Sequence, residues 1–247
     1  MGKLIIEDKT IVVPGETLAE GMDYLPGNGT YRLGEKILAE KIGLVNIDGR
    51  ALKLIPLAGT YSPKRNDTII AKVIDVTLNG WRLETNSAYS AMLPVKDATA
   101  QYIARGADLT AFFNIGDSVV AKITNVTSQK LVDVSTKGPG LRKLSGGRII
   151  KVNPYKVPRV IGKQGSMVSM IKDATACKIT VGQNGLIWVD GEPKEILRAV
   201  SAVRMIEENS HMKGLTDKVK EFLQAGGEQK WVILKEKIIE HLTTSDL

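Results

Sequence analysis

The apolar spacing of this chain changes character once, and that change limits what it can fold into. Up to residue 137 the apolar residues come in short alternating runs broken by glycine turns, whereas beyond residue 147 helical spacing enters. Residues 1–61 hold Thr10-Ile-Val-Val-Pro, Tyr31-Arg-Leu and Lys41-Ile-Gly-Leu-Val-Asn-Ile, punctuated by Pro14-Gly15, Pro26-Gly27-Asn28-Gly29 and Asp48-Gly49, the pattern of a small β domain. Over residues 65–137 the strongest local signal is Asn79-Gly80, set between Thr68-Ile-Ile-Ala-Lys-Val-Ile-Asp-Val-Thr and Trp81-Arg-Leu-Glu-Thr, which reads as a hairpin. Runs from Ala91, Ile115 and Leu131 follow, predicting a barrel of about five strands with a short helix over residues 99–104.

Glycines at 138, 140, 146 and 147 then predict a hinge. Past it, Arg148-Ile-Ile-Lys-Val reads as a strand, Val157–Ile161 as a short helix, and residues 166–174 as a second helix with Ser166 as N-cap. Lys178-Ile-Thr-Val and Leu186-Ile-Trp-Val-Asp flank Gln183-Asn184-Gly185 as another hairpin. Ile196, Val200, Val203 and Ile206 then mark Pro193–Glu208 as an amphipathic helix. The order over residues 147–208 is β-α-α-β-β-α. Residues 213–247 carry two further helical patterns, the second with an apolar stripe of Trp231, Leu234, Ile238 and Leu242. The fold class is therefore α+β and multidomain: a small β domain, a five-stranded barrel, a β-α-α-β-β-α domain and C-terminal helices.

Charge is distributed as unevenly as periodicity. No Asp or Glu falls between Val134 and Lys172, yet nine cations do: Lys137, Arg142, Lys143, Arg148, Lys151, Lys156, Arg159, Lys163 and Lys172. The chain totals 34 Lys and Arg against 27 Asp and Glu, so without these nine it would be slightly acidic. A positive field confined to one segment, beside Gly162-Lys163-Gln164-Gly165, attracts a polyanion. Other classes are disfavoured. No apolar run approaches the ~20 residues of a membrane helix. Cys177 is the lone cysteine, and His211 and His241 are the only histidines, so disulfides and zinc-finger sites are not expected. No phosphate-binding loop, nucleophilic triad or Asp-x-Asp pair suggests catalysis. The reading is a cytoplasmic, non-catalytic protein without cofactor or metal.

Glycines in a Gly-x-x-Gly loop between helices let a nucleic-acid backbone approach, because no Cβ intervenes, and the following helix N-terminus favours phosphate. Gly162, Lys163, Gln164 and Gly165, with Arg159, Lys156, Lys151 and Arg148, are the candidate RNA contacts on this domain. On the barrel, Arg65, Lys72, Arg82 and Lys122 are candidate backbone contacts, and Trp81 a candidate stacking platform. Trp188 and Trp231 sit in apolar runs and read as core, as does Cys177.

Val160-Ile161-Gly162-Lys163-Gln164-Gly165 resembles the KH signature, Ile-Gly-x-x-Gly between two helices. The Ile115-Gly116-Asp117 step and its flanking strands resemble the S1-type OB domain. Val13-Pro14-Gly15-Glu16, Gly27-Asn28-Gly29-Thr30-Tyr31 and Tyr61-Ser62-Pro63 are similar to the N-terminal domain of exosome cap proteins. Taken in order, and with the Gly182-Gln183-Asn184-Gly185-Leu186-Ile187-Trp188 hairpin, they resemble the S1/KH-type cap subunits of the archaeal RNA exosome. The resemblance implies a non-catalytic subunit that recruits single-stranded RNA 3′ ends for a ring of RNase PH-like subunits, three copies per complex. It implies that residues 1–61 dock on that ring, with Val13, Pro14, Gly15, Glu16, Gly29, Thr30 and Tyr31 as the docking residues. It also implies that the Asn184-Gly185 hairpin can tie the KH domain to the barrel. Two alternatives stay open: a ribonuclease in its own right, and a stand-alone RNA chaperone or translation-associated protein.

Overall fold

The computed structural model describes residues 2–99, 101, 103–104, 106–210 and 214–224. The chain forms two compact units, Met1–Thr60 and Tyr61–Leu247. In the first, two four-stranded sheets share one core. One runs in the order Lys3–Leu4, Thr17–Glu20, Lys36–Ala39, Thr30–Leu33; the other Ile11–Val12, Gly43–Asp48, Ala51–Pro56, Leu25–Pro26. The alternation seen in the sequence sorts side chains between faces. Val12, Leu18, Ile37, Val45, Leu52 and Leu54 are buried between the sheets.

The second unit begins with the barrel. Its sheet runs Val132–Ser135, Ser90–Pro94, Gly80–Glu84, Thr68–Thr77, Ser118–Val126, and closes where Ser118–Val126 also pairs with Val132–Ser135. Five strands therefore leave no open edge within the barrel. Ile69, Val73, Trp81, Leu83, Leu93, Val119 and Ile123 fill its interior. Gly80 is required where it stands: its φ is +145°, and a Cβ there would lie 2.1 Å from the Leu93 carbonyl oxygen.

Two local expectations are corrected. The short helix lies at Val95–Ala98, and the described residues of 99–104 are not helical. Its last carbonyls are taken by the incoming strand end: the Thr136 amide donates to the Asp97 oxygen at 2.9 Å and the Thr136 hydroxyl to the Ala98 oxygen at 2.5 Å. The anticipated hinge is pinned. Lys143–Leu144 adds a sixth strand beside Ser118–Val119, and Val120 donates to the Arg142 carbonyl at 2.8 Å.

The β-α-α-β-β-α order appears as read. An antiparallel sheet, Arg148–Lys151, Leu186–Asp190, Lys178–Val181, is covered on one face by Val157–Ile161, Ser166–Thr175 and Pro193–Glu208, and Leu215–Gln224 packs on the last two of these helices. Ile150, Ile187 and Val189 meet Val160, Ile171, Val203 and Ile206 there, and Cys177 is buried in the same core. Ser166 is not an N-cap. It is the first residue of its helix, and Gly165, at φ +82°, takes the cap position because it tolerates the left-handed backbone. The stripe of Trp231, Leu234, Ile238 and Leu242 lies outside the described residues, as do His211 and His241.

Candidate nucleic-acid interface

The short helix Val157–Ile161 ends at Gly162, whose φ of +75° turns the chain away. Gln164 also holds a positive φ, 54°, and Gly165 returns the chain into Ser166–Thr175. A non-glycine residue held there marks strain of the kind that clusters at functional loops. The two glycines do different work. A Cβ on Gly162 would sit 2.7 Å from both Cβ and N of Met167, so that glycine serves packing. Nothing lies within 4 Å of a Cβ built on Gly165, so that position opens to solvent. Lys163, Gln164 and Arg159 are exposed beside it. The result is a lip with free approach on one side, two cations, and the N-terminus of a ten-residue helix behind it.

Other cations named from the sequence are placed differently. Lys156 is half-buried, and its ammonium donates to the Glu207 carbonyl at 2.8 Å, near the C-terminus of Pro193–Glu208. That engagement suits the negative end of a helix, and it takes Lys156 out of the set of free lip cations. Arg148 and Lys151 are exposed on the edge strand Arg148–Lys151.

On the barrel, Lys72, Arg82 and Lys122 project outward from Thr68–Thr77, Gly80–Glu84 and Ser118–Val126, and Arg65 is exposed just before the first of these. They do not make one positive face. Lys72 stands opposite Glu84 in the ladder and Arg82 opposite Asp75, so each cation has a carboxylate as its cross-strand neighbour. Lys122 instead neighbours Thr68 and Ser135, and the Asn66 amide beside Arg65 donates to the Ile123 carbonyl, which brings Arg65 and Lys122 to one end of the barrel. The expected stacking role of Trp81 is overturned. Trp81 has no exposed surface, its indole N–H donates to the Phe113 carbonyl at 2.8 Å, and its ring meets Phe113 edge-on at 5.2 Å. It follows the turn glycine, but the strand's alternation points it into the barrel.

Between barrel and KH domain lies a seam that the sequence named only at its hairpin. Asn184 is fully buried; its side-chain amide donates to the carbonyls of Ile70 at 2.7 Å and Thr85 at 2.8 Å. The Gln183 amide donates to the Thr68 carbonyl at 2.9 Å, and the Asn86 side chain to the Asn184 carbonyl at 2.8 Å. Ile70, Val120, Leu144 and Trp188 form an apolar cluster at the same seam. Thr85, Asn86 and Ile70 were not foreseen. They lie about a hundred residues from their partners, and no local pattern marks them. Nearby, burial raises the Asp117 carboxyl, but the Lys143 ammonium at 2.5 Å and the Asn114 amide outweigh it and hold the group below the usual carboxylate range. Among the described residues, no group of three or more His, Cys, Asp and Glu is arranged to hold a metal ion, and no helix is long and apolar enough to cross a membrane.

In the first unit, the docking residues named from the sequence fall on different surfaces. Gly29 and Thr30 are buried, the Thr30 hydroxyl donating to the Leu52 carbonyl at 2.8 Å between the sheets. Tyr31 is exposed on one sheet, and Val13 continues the outer face of the other. That second face is unusually apolar. Ile11, Leu44 and Ile55 are consecutive cross-strand partners, and Val13, Ile42 and Leu57 extend the same rows by two residues each. Five of the six are large exposed hydrophobics, with Ile11 60% exposed and Ile55 54%.

A closed five-stranded barrel hydrogen-bonded to a KH domain, after a separate β unit, defines a class of multidomain protein. Comparison with known sequences is more specific. Residues 147–195 match the model of the KH domain, and residues 9–58 that of the exosome RNA binding protein RRP4 N-terminal domain. The chain is 44% identical to the exosome complex component Rrp4 of Methanothermus fervidus, over 89% of this chain and 97% of that one. It is 40% identical to the component of the same name from Pyrococcus horikoshii, over 98% and 91%. A crystal structure described as a candidate exosome complex RNA-binding protein superposes with a TM-score of 0.62 at 29% identity, over 70% of this chain and 99% of that one. The chain belongs to the Rrp4 family.

Proposed function

We propose that this protein is a non-catalytic RNA-binding subunit of an exosome, acting in the cytoplasm. It gathers single-stranded RNA 3′ ends and delivers them to a ring of RNase PH-like subunits for 3′-to-5′ degradation, with three copies per complex. The observation that carries this reading is the lip at Gly162–Lys163–Gln164–Gly165, where an unobstructed glycine adjoins Lys163 and Arg159. A phosphate backbone can lie against Gly165 without meeting a side chain, and the helix N-terminus behind it favours the negative charge. The names of the relatives, exosome complex component Rrp4, supply the assembly.

The same reading gives the apolar outer face of Ile11, Val13, Ile42, Leu44, Ile55 and Leu57 an occupant: the ring, through the N-terminal unit. Contiguous exposed apolar surface of this kind marks interaction sites on soluble proteins. The test has two parts. Purified protein is titrated against labelled single-stranded RNA at several salt concentrations, then mixed with ring subunits and passed over a sizing column. Salt-sensitive RNA binding, co-elution with the ring and no RNA turnover by the protein alone are expected. Turnover by the isolated chain, or indifference to RNA at low salt, would end the proposal.

A further inference from the structure

The seam carries a second feature that the lip does not explain. Arg142 is exposed, and its guanidinium carbon lies over the Trp188 ring, 5.5 Å from the centroid. Trp188 itself is nearly fully buried, and its indole N–H donates to the Gly146 carbonyl at 2.9 Å. The backbone of Arg142 is fixed as well, since its carbonyl accepts the Val120 amide at 2.8 Å. The neighbouring cation, Lys143, is engaged with Asp117, whereas Arg142 makes no ion pair among the described residues. A guanidinium that lies over an indole and is otherwise exposed is a planar cation tethered at the surface by its ring partner.

Its surroundings suit a nucleotide. Ile149 stands opposite Trp188 in the ladder and is 39% exposed, an apolar residue left beside the cation. Lys151, two residues on along the same edge strand, falls on the same side of the sheet and is exposed. The acid on this side of the sheet, Asp190, sits by Gly146 at the indole N–H edge. Arg142, Ile149 and Lys151 thus line a strip of cation, apolar contact and cation. Phosphate contact alone would not need the flat backing or the exposed isoleucine, and a structural clamp on Trp188 would not need an unpaired guanidinium facing solvent.

We infer that Arg142, backed by Trp188, is a stacking platform for one unstacked base of single-stranded RNA at the junction of barrel and KH domain, with Lys151 holding an adjacent phosphate. The inference rests on the RNA-binding reading above. Because the barrel's Trp81 is buried, this platform would supply stacking that the barrel interior cannot. Arg guanidinium planes take bases in this way in other single-strand readers.

Arg142→Lys tests it, since lysine keeps the charge and loses the plane. Fluorescence anisotropy with full-length protein compares an oligoadenylate with an oligomer of equal length built from abasic spacers. The variant is expected to bind oligoadenylate about fivefold or more weakly, the effect of one lost stacked base, and to bind the abasic oligomer as the wild type does. Equal oligoadenylate affinity in wild type and Arg142→Lys overturns the platform, whether or not the variant melts earlier. Should Arg142→Lys fail to fold, Arg142→Met replaces it, keeping cover over the indole. Its loss on oligoadenylate must then exceed its loss on the abasic oligomer, and equal losses overturn the inference. Failure of the wild type to bind either oligomer would instead overturn the RNA-binding reading itself.

Discussion

The Asn184 side chain closes a two-way bond with the backbone of Ile70, donating to its carbonyl at 2.7 Å and accepting its amide at 3.3 Å. A hairpin turn of the KH domain thereby behaves like one more residue of a barrel strand. Its third bond, to the Thr85 carbonyl, reaches the adjacent barrel strand's end. The hairpin loop is consumed in joining two domains, and Gly182 and Gly185 keep it tight. A Cβ on Gly185 would lie 2.4 Å from the Val152 carbonyl oxygen.

Asn184→Ala leaves two carbonyls and an amide without partners in a buried seam. A loss of about 2–4 kcal/mol is expected, which for a chain of this size lowers the Tm by roughly 5–15 °C. Differential scanning calorimetry checks this, and an unchanged Tm would mean that water replaces the amide at no cost. Separate melting of barrel and KH domain in the variant would further show that the hairpin couples them.

The glycines of the lip should separate under substitution. Gly165→Asp places a carboxylate in open space at a left-handed position, with a strain of about 1–2 kcal/mol, so the protein folds and loses RNA affinity. Gly162→Asp drives a side chain into Met167 and is expected to damage the fold itself. Circular dichroism alongside RNA titration distinguishes the two, and normal RNA binding by folded Gly165→Asp would place the contact elsewhere.

Replacing Lys163 and Arg159 together by Ala removes the two exposed cations flanking the loop. Each phosphate contact on single-stranded RNA contributes a salt slope of about 0.7, so the plot of log affinity against log salt should flatten by about 1.4. Lys156→Ala should instead lower stability more than the slope, because its ammonium is occupied by Glu207.

Trp81→Phe tests whether Trp81 is a core residue of the barrel and not an RNA contact. The change leaves the Phe113 carbonyl without its indole donor and opens space in the barrel, so a destabilisation of about 1–3 kcal/mol is expected. RNA affinity of the folded fraction should stay within about twofold, whereas loss of a stacked base would cost more than that. Denaturant titration and anisotropy on one sample give both quantities.

Ile55→Lys puts a charge at one end of the apolar cross-strand row Ile11, Leu44, Ile55. The side chain is more than half exposed, so folding is spared. Co-elution with ring subunits should be lost while RNA titration is unchanged. Retained co-elution would move the docking surface to another face, with exposed Tyr31 and Leu33 on the opposite sheet as the next residues to change.

Much of this was legible in local pattern. The Asn79-Gly80 turn, the Pro193–Glu208 helix and the β-α-α-β-β-α order are all set by short-range rules of turn chemistry and apolar period, which need no knowledge of distant residues. The Gly162–Gly165 lip was legible for the same reason. The side a given residue faces was less so. Trp81 and Arg82 are neighbours in one strand, and which of them points inward follows from where the barrel closes. Lys156 and Lys163 both belong to the acid-free run, yet one is tied to a helix end more than forty residues later and the other is free.

By itself the sequence determined the elements, their order, the family resemblance and the confinement of surplus charge to one stretch, because those depend on neighbours in the chain. Only the tertiary structure decided that the glycine-rich connection is a sixth strand, that Asn184 completes the barrel's hydrogen bonding, and that Arg142 comes to rest on Trp188. Each of those joins residues tens to a hundred positions apart, where burial and unsatisfied backbone groups, not local propensity, choose the partner.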